Sequence, residues 1–170
     1  MQKKSTTEQA LSRKYPEQVV LVTTHAPDGR LNVMAVGWVT RASLDPAMFV
    51  LGIDDEALTY ANIRKTEEFV IAFPHEGMAR QVLHAGTHHG HKTDKIAATG
   101  LALQKASKVK APLLADAVAN FECKLVTITQ PGDCPLIVGR VVAAHQNKNL
   151  KLKRLYLVGK NYKMAGVRAK

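Results

Sequence analysis

The segment VVLVTTHAPDGRLNVMAVGWVTRASLDPAMFVLGI, residues 19–53, carries most of the information about the fold. Residues 19–24 are apolar or β-branched, and Pro27-Asp28-Gly29 has the composition of a tight turn. Residues 31–40 return to a strand pattern, residues 43–46 form a predicted loop, and an apolar strand follows. The segment therefore predicts a β-hairpin that is followed by a third strand.

A glycine lies inside the second of these strands. Gly37 is followed by Trp38, Val39 and Thr40, and Ser43 adds a further hydroxyl group shortly afterwards. A glycine in a strand often marks a place where a ligand or another backbone approaches closely. Two interpretations remain open: this strand is a platform for a flat ligand that lies on exposed backbone, or it belongs to an ordinary core hairpin with Trp38 buried.

The rest of the chain predicts short strands separated by turns, with two or three short helices. The predicted helices cover residues 5–14, with Ser5 or Thr6 as the N-cap, residues 57–65, and residues 76–85, which Gly86 would end. Further strands are predicted at residues 68–73, 100–104, 120–129, 136–145, 154–158 and 161–164, with polar or basic loops at 87–94 and 105–111. This pattern predicts a single domain, 1–170, built on a closed antiparallel β-barrel, with an N-terminal extension at 1–14 and a C-terminal tail at 165–170.

The composition is that of a globular protein. Hydrophobic residues make up 46% of the 170 residues, and no apolar run approaches the length of a membrane-spanning helix. The N-terminal segment lacks the apolar stretch of a secretory signal, so we expect a cytoplasmic protein. The two cysteines, Cys123 and Cys134, lack metal-ligand spacing and are expected to be reduced thiols rather than a disulfide.

The charge is distributed unevenly along the chain. All 14 acidic residues lie at or before Asp133. Nine of the 24 basic residues come after it: Arg140, Lys148, Lys151, Lys153, Arg154, Lys160, Lys163, Arg168 and Lys170. Such a block attracts nucleic acid, a membrane surface, a phosphorylated cofactor or an acidic protein, or it forms a solvated edge that aids solubility. Nucleic acid is the least supported of these partners, because proteins that bind single strands stack the bases on aromatic residues and this block contains only two, Tyr156 and Tyr162.

Two further segments carry polar groups that could bind a ligand. Thr59 stands near the start of the predicted helix 57–65, where free amides and the helix dipole favour a phosphate, although the spacing alone favours simple helix capping. Histidines cluster at His84, His88, His89 and His91. A His pair four residues apart binds metals on a continuous helix. The helix end predicted at Gly86 separates His84 from His88, so we predict a solvated or cofactor-facing loop and no metal site.

The order of several short motifs resembles that of the flavin reductase-like family of FMN-binding split-barrel proteins. The motifs are VVLVTT, Asp28-Gly29, Asn32, Gly37-Trp38, S-x-x-P at 43–46, Thr59, Asn62-Ile63, Glu68-Phe69-Val70, Thr93-Asp94-Lys95, Gly100-Leu101, Ala111-Pro112-Leu113, Phe121-Glu122-Cys123 and Gly132-Asp133. Each is short, and the resemblance lies in their common order over residues 15–162. One position departs from it: many relatives have histidine after the Gly-Asp pair, where this chain has Cys134.

The resemblance implies a fold, a cofactor and an activity. The fold would be mainly β, an antiparallel Greek-key split β-barrel, assembled as a homodimer with the flavin near the interface. NAD(P)H would reduce bound FMN, which would pass electrons to free flavin, ferric iron or a partner protein. The residues implied in cofactor binding are Gly37, Trp38, Val39, Thr40, Ser43, Thr59, Asn62, His89 and Lys95, with no catalytic side chain.

Within this set, the residues from Gly37 to Ser43 would line the flavin ring, and Thr59 and Asn62 would contact its phosphate. His89 and Lys95 would face the flavin or the nicotinamide. Two other functions remain open. One is a flavoredoxin-like FMN electron carrier without direct NAD(P)H turnover, for which the basic block would suit an acidic redox partner. The other is a basic nucleic-acid-binding β-barrel without a cofactor, which the charge alone indicates.

Overall fold

The computed structural model describes residues 1–168 and contains twelve strands and four α-helices in that range. The strands are β1 (Glu17–Gln18), β2 (Val20–His25), β3 (Leu31–Val36), β4 (Val39–Leu44), β5 (Ala47–Gly52), β6 (Glu68–Phe73), β7 (Leu103–Gln104), β8 (Leu113–Leu114), β9 (Ala119–Thr129), β10 (Leu136–Gln146), β11 (Arg154–Gly159) and β12 (Lys163–Val167). The helices are α1 (Thr7–Leu11), α2 (Leu58–Thr66), α3 (Ala79–Thr87), which follows a 3-10 turn at Glu76–Met78, and α4 (Lys95–Thr99).

Seven strands form one antiparallel sheet in the order β3-β2-β6-β9-β10-β5-β4. Its two edge strands, β3 and β4, are joined by only Gly37 and Trp38. Because the three Cα–Cα steps from Val36 to Val39 span at most about 11 Å, the sheet must curl until its opposite edges meet at that point. No ladder joins β3 to β4 within residues 1–168, so the barrel is split there. The mainly β fold with a split antiparallel barrel is confirmed.

Both faces of the central strands are covered. All six residues of β2 and all six of β6 are buried. Val20, Val22 and Phe69 belong to a cluster inside the barrel, whereas Leu21 packs on the other face with residues of α3 and β11. A strand that is buried on both faces has a continuous apolar run rather than an alternating one, which is the pattern of residues 19–24.

The small sheet β1-β11-β12 and the helix α3 cover this outer face. The hairpin β11–β12 turns at Asn161 and Tyr162, whose φ angles are 55° and 56°. No helix in residues 1–168 is long and apolar enough to cross a membrane.

Several strand boundaries differ from those expected. The strand predicted at 31–40 is two strands, because the chain passes at Gly37-Trp38 from one edge of the sheet to the other. Residues 43–44 lie in β4 rather than in a loop. The strand predicted at 161–164 begins later, since a tight turn occupies 161–162, and β12 includes residues 165–167 of the predicted tail. Residues 169–170 of that tail lie outside the described residues.

Two helix predictions were also wrong in detail. Helix α3 does not end at Gly86 but continues to Thr87. This glycine has a packing role, because a Cβ at Gly86 would lie 3.3 Å from the Cβ of Ala35 on β3. Helix α4 was not expected, although Asp94 is its N-cap and accepts hydrogen bonds from the amides of Ile96 and Ala97.

Candidate functional site

A cleft of about 390 Å³ opens between β3, the N-terminus of α2, the end of α3 and the loop before α4. Residues from five segments line it: Asn32, Met34, Asp54, Glu56, Ala57, Leu58, Thr59, Ala85, Gly86, Thr87, His88, His89, Gly90, His91, Lys92 and Lys95. One wall therefore contributes histidine and lysine side chains, and the segment before α2 contributes two carboxylates on the other. A cleft of this volume and mixed polarity has the size of a typical small-molecule site.

Lys95 is a buried cation at this cleft. The residue is only 5% exposed, and its Nζ donates a hydrogen bond of 3.0 Å to the carbonyl oxygen of Ala85. No carboxylate lies within ion-pair distance of Lys95 anywhere in residues 1–168. Burial lowers the pKa of Lys95 to about 8. A buried ammonium without a counter-ion is costly unless an anion joins it, so this position favours a negatively charged ligand.

The N-terminus of α2 lies on the same cleft and also favours an anion. Its N-cap residue is Ala57, which has no side-chain hydrogen bond, and within residues 1–168 no acceptor meets the amides of residues 58–60. Thr59 is buried, and its Oγ1 accepts a 2.8 Å hydrogen bond from Nδ2 of Asn32. The Thr59 hydroxyl hydrogen therefore stays available for a ligand oxygen. Free amides, a hydroxyl donor and a buried ammonium together suit a phosphate group.

Asn32 is a cleft residue that the sequence reasoning did not select. It is 4% exposed, and its side chain connects two parts of the cleft wall. Its Nδ2 orients Thr59, while its Oδ1 packs against the backbone of Gly90, where a side chain would not fit. An isolated asparagine among the apolar residues of β3 was the available signal, since a buried amide needs hydrogen-bond partners.

The implied binding residues are only partly brought together. Thr59, His89 and Lys95 line the cleft. Asn62 does not: it is 2% exposed and its Nδ2 donates a 3.0 Å hydrogen bond to Oγ1 of Thr24 on β2. Gly37 lines a separate, mainly apolar recess of about 110 Å³ between α3 and the β11–β12 hairpin.

The other implied residues lie along the edge strand β4. Val39, Thr40 and Ser43 belong to this strand and do not line the cleft. Trp38 is 60% exposed, so the interpretation of a core hairpin with a buried tryptophan is wrong. Its ring packs on the backbone of Gly52, where a Cβ would lie 2.9 Å from Cε3. Because Gly52 precedes the cleft residue Asp54 by two positions, Trp38 stands near one end of the cleft.

The histidine cluster is arranged differently from a metal site. The rings of His84 and His88 are stacked, with centroids 3.8 Å apart and planes inclined by 15°. Stacked rings point their nitrogens along parallel planes rather than toward one shared ion. Within residues 1–168 no three His, Cys, Asp or Glu side chains form a group that could hold a metal.

The two thiols have weak nucleophilic character. Burial and the neighbouring Glu122 carboxylate raise the pKa of Cys123 to about 12. Burial and the charges of Asp133, Asp54 and Asp55 raise the pKa of Cys134 above its ordinary value. Cys134 lies beside Gly52 near Trp38, and its thiol form offers little reactivity there.

Comparison with known proteins gives one family and one fold. Residues 11–166 match the model of the flavin reductase like domain. An uncharacterized protein of Pyrococcus abyssi is 40% identical over 129 residues, which are 76% of this chain and 73% of that protein. A flavin reductase of Pseudomonas putida is 27% identical over 132 residues, 78% of this chain and 74% of that protein.

Solved structures agree with this result. The flavoredoxin of Desulfovibrio vulgaris (Miyazaki F) has a TM-score of 0.86 at 22% identity, covering 99% of this chain and 95% of its own. An FMN-binding protein from Thermus thermophilus, solved with bound p-hydroxybenzaldehyde, has a TM-score of 0.86 at 25% identity, covering 100% of this chain and 98% of its own.

Proposed function

The chain belongs to the flavin reductase-like family, and from this membership and the cleft geometry we propose that it is an FMN-dependent reductase that uses NAD(P)H. The observation that carries the proposal is that the buried Lys95, Thr59 and the uncapped start of α2 all line one cleft, and we call these groups the anion-binding centre. These groups fit the phosphate of FMN. Bound FMN would supply the redox chemistry, which no side chain of the cleft could provide.

The chain's own residues would hold the cofactor rather than react. Lys95 would neutralise the phosphate, Thr59 would donate its hydroxyl hydrogen, and Asn32 would keep that hydroxyl in position. Met34 and Asp54 line the same cleft, and the exposed ring of Trp38, which packs on nearby Gly52, would offer an apolar surface for a flat heterocycle. His89, which lines the opening of the cleft, would shield the bound phosphate from solvent.

The donor and the acceptor follow from the same proposal. NAD(P)H would enter the open side of the cleft, and electrons would leave to free flavin, ferric iron or an acidic partner protein. A second copy of the chain would cover the unpaired edge strand β4 and Trp38, as the family resemblance implies. Cys134 would take no part in the redox chemistry, because its pKa is raised rather than lowered.

The proposal is tested by absorption spectroscopy of protein reconstituted with FMN, before and after anaerobic addition of NADH or NADPH. Bleaching of the bound flavin by either nucleotide is expected. Flavin that binds but is bleached by neither nucleotide would favour an electron carrier that another protein reduces. Protein that binds no FMN would refute the proposal.

Two matched variants of α2 test the anion-binding centre itself. Thr59→Val removes the hydroxyl that faces the cleft, and we expect FMN affinity to fall about tenfold, the loss of one hydrogen bond to a charged group. Thr66→Val removes a hydroxyl at the other end of the same helix, where it donates to the carbonyl of Asn62 at 2.9 Å. That variant should bind FMN as the wild type does. Equal affinities for the two variants, measured by flavin fluorescence, would place the phosphate elsewhere.

A further inference from the structure

The loop of residues 88–92 carries more basic groups than one flavin phosphate needs. His88, His89, His91 and Lys92 all line the mouth of the cleft and are exposed. The anion-binding centre already offers the Lys95 ammonium, the Thr59 hydroxyl and the free amides of α2 to one phosphate. The mouth therefore holds a second set of hydrogen-bond donors and positive charge that a resident monophosphate leaves unused.

This loop has a defined position relative to the cleft. The amides of Lys92 and Thr93 both donate to the carbonyl oxygen of His89, at 3.0 and 3.2 Å, which closes a turn. Gly90 packs directly on Asn32 and on Leu58, whose Cδ2 would lie 3.1 Å from a Cβ at that position. Gly90 therefore packs the loop against the cleft wall. The residues on either side of it, His89 and His91, are exposed at the opening of the cleft.

Lys92 is free to bind a ligand. No carboxylate lies within ion-pair distance of it in residues 1–168. The two carboxylates of the cleft, Asp54 and Glu56, belong to the segment before α2, and Oδ1 of Asp54 accepts a 2.8 Å hydrogen bond from the amide of Glu56. A second anion bound at the loop would be attracted by the Lys92 ammonium.

We propose that residues 88–92 form a second anion subsite that binds the 2′-phosphate of NADPH and makes the protein selective for NADPH over NADH. This inference rests on the proposed function for its choice of nucleotide. NADPH and NADH differ only in that phosphate, so a basic subsite at the mouth discriminates between them directly. Sites built to pair a polar group of a substrate reject the analogue that lacks it.

The test uses isothermal titration of the FMN-loaded protein and, separately, of the flavin-free protein with 2′,5′-ADP and with 5′-AMP. These probes carry the adenosine end of NADPH and of NADH without the nicotinamide. We expect at least tenfold tighter binding of 2′,5′-ADP, with a preference that falls to threefold or less in Lys92→Gln. The matched control Lys148→Gln removes an exposed lysine outside the cleft and should keep the wild-type preference.

The outcomes separate this inference from the proposed function. Equal affinity of the wild type for the two probes would overturn it, as would an unchanged preference in Lys92→Gln. If Lys92→Gln weakens FMN binding and leaves the probes unaffected, the loop serves the flavin phosphate and the inference fails. Absence of FMN binding in the wild type would instead refute the proposed function, while the flavin-free titrations would still decide whether the loop recognises a 2′-phosphate.

Discussion

At the scale of single residues, the environment of Lys95 differs from that of an ordinary lysine, because the residue is only 5% exposed. In sequence it is one of 24 basic residues, yet folding buries it against the end of α3, and no carboxylate within residues 1–168 pairs with it. The folded protein therefore holds a buried positive charge that a negatively charged ligand would neutralise. Burial holds its pKa at about 8, whereas an unfolded lysine titrates near 10.5. The ammonium form needed to bind a phosphate is therefore lost at unusually low pH.

We predict that FMN affinity falls as pH rises above about 8, because Lys95 then loses its proton and its charge. Once the complex also deprotonates, the dissociation constant should stop rising. Riboflavin lacks the phosphate and is the matched ligand control, so its affinity should change little over the same range. Lys95→Met should remove most of the pH dependence of FMN binding. Fluorescence titrations from pH 6.5 to 9.5 measure these effects, and parallel pH profiles for FMN and riboflavin would contradict the assignment.

The stability of the flavin-free protein should also depend on Lys95, but it should increase with pH where FMN affinity decreases. Between about pH 8 and 10.5 the unfolded state holds a proton on Lys95 that the folded state has released. Because stability rises with pH where the unfolded state binds more protons, Lys95 lowers stability below its folded pKa and this cost disappears as pH rises.

At the scale of structural elements, the loop of residues 105–112 before β8 has no regular structure, and carboxylates on two neighbouring strands fix its position. Glu122 on β9 is fully buried and accepts hydrogen bonds from the amides of Ser107 and Val109, at 2.8 and 3.0 Å. Nε2 of His145 approaches the same carboxylate at 2.6 Å. Glu68 on β6 accepts from the next amide of the loop, that of Lys110. The two carboxylates therefore accept hydrogen bonds from loop amides that have no neighbouring strand to pair with.

We predict that Glu122→Gln lowers the free energy of unfolding by about 3 kcal/mol, because the amide side chain presents a donor to backbone donors. The exposed Glu67→Gln is the matched control and should change stability by less than about 0.5 kcal/mol. Urea denaturation measures both values. Hydrogen exchange of the amides of residues 107–109 should accelerate in Glu122→Gln, and unchanged protection there would contradict the role of this carboxylate.

The same carboxylate makes stability depend on acid. Burial raises the pKa of Glu122, but the hydrogen bonds from Ser107, His145 and Lys108 outweigh it and hold the pKa at about 2. Its contribution is complete above the ordinary value of 4.5 and is lost as pH falls toward 2. Part of the acid sensitivity of the wild type should therefore be missing in Glu122→Gln.

At the scale of the whole molecule, the split barrel leaves the outer edges of β3 and β4 without a strand partner within residues 1–168. Most residues of β4 are at least partly exposed, and Trp38 and Leu44 beside and within it are 60% and 73% exposed. An open strand edge with large apolar side chains is a surface that proteins normally cover. A second copy of the chain would cover it and would enclose the Trp38 end of the cleft.

We predict a homodimer through this edge, with a mass in light scattering near twice the 18.6 kDa of one chain. Leu44→Asp should shift the protein toward monomer, because it introduces a charge into the covered surface. Leu150→Asp changes a leucine that is 78% exposed outside this edge and should leave the dimer intact. A monomeric wild type, or equal effects of both substitutions, would refute an interface at β4.

The sequence determined the local elements. The apolar run at residues 19–24, the turn at Pro27-Asp28-Gly29 and the exact extent of β6 follow from propensities that act over a few residues. The family order of short motifs identified the split barrel. The same order placed Thr59, His89 and Lys95 among the implied binding residues, and these three line one cleft.

Only the tertiary structure decided how those elements meet. The break at Gly37-Trp38 and the exposure of Trp38 depend on which strands become edges, and the hydrogen bonds from Asn62 to Thr24 and from Asn32 to Thr59 depend on how α2 packs on β2 and β3. The burial of Lys95 depends on contacts between α4 and the end of α3. Such contacts join residues that are distant in the chain, and their energies come from packing and burial that no local pattern encodes.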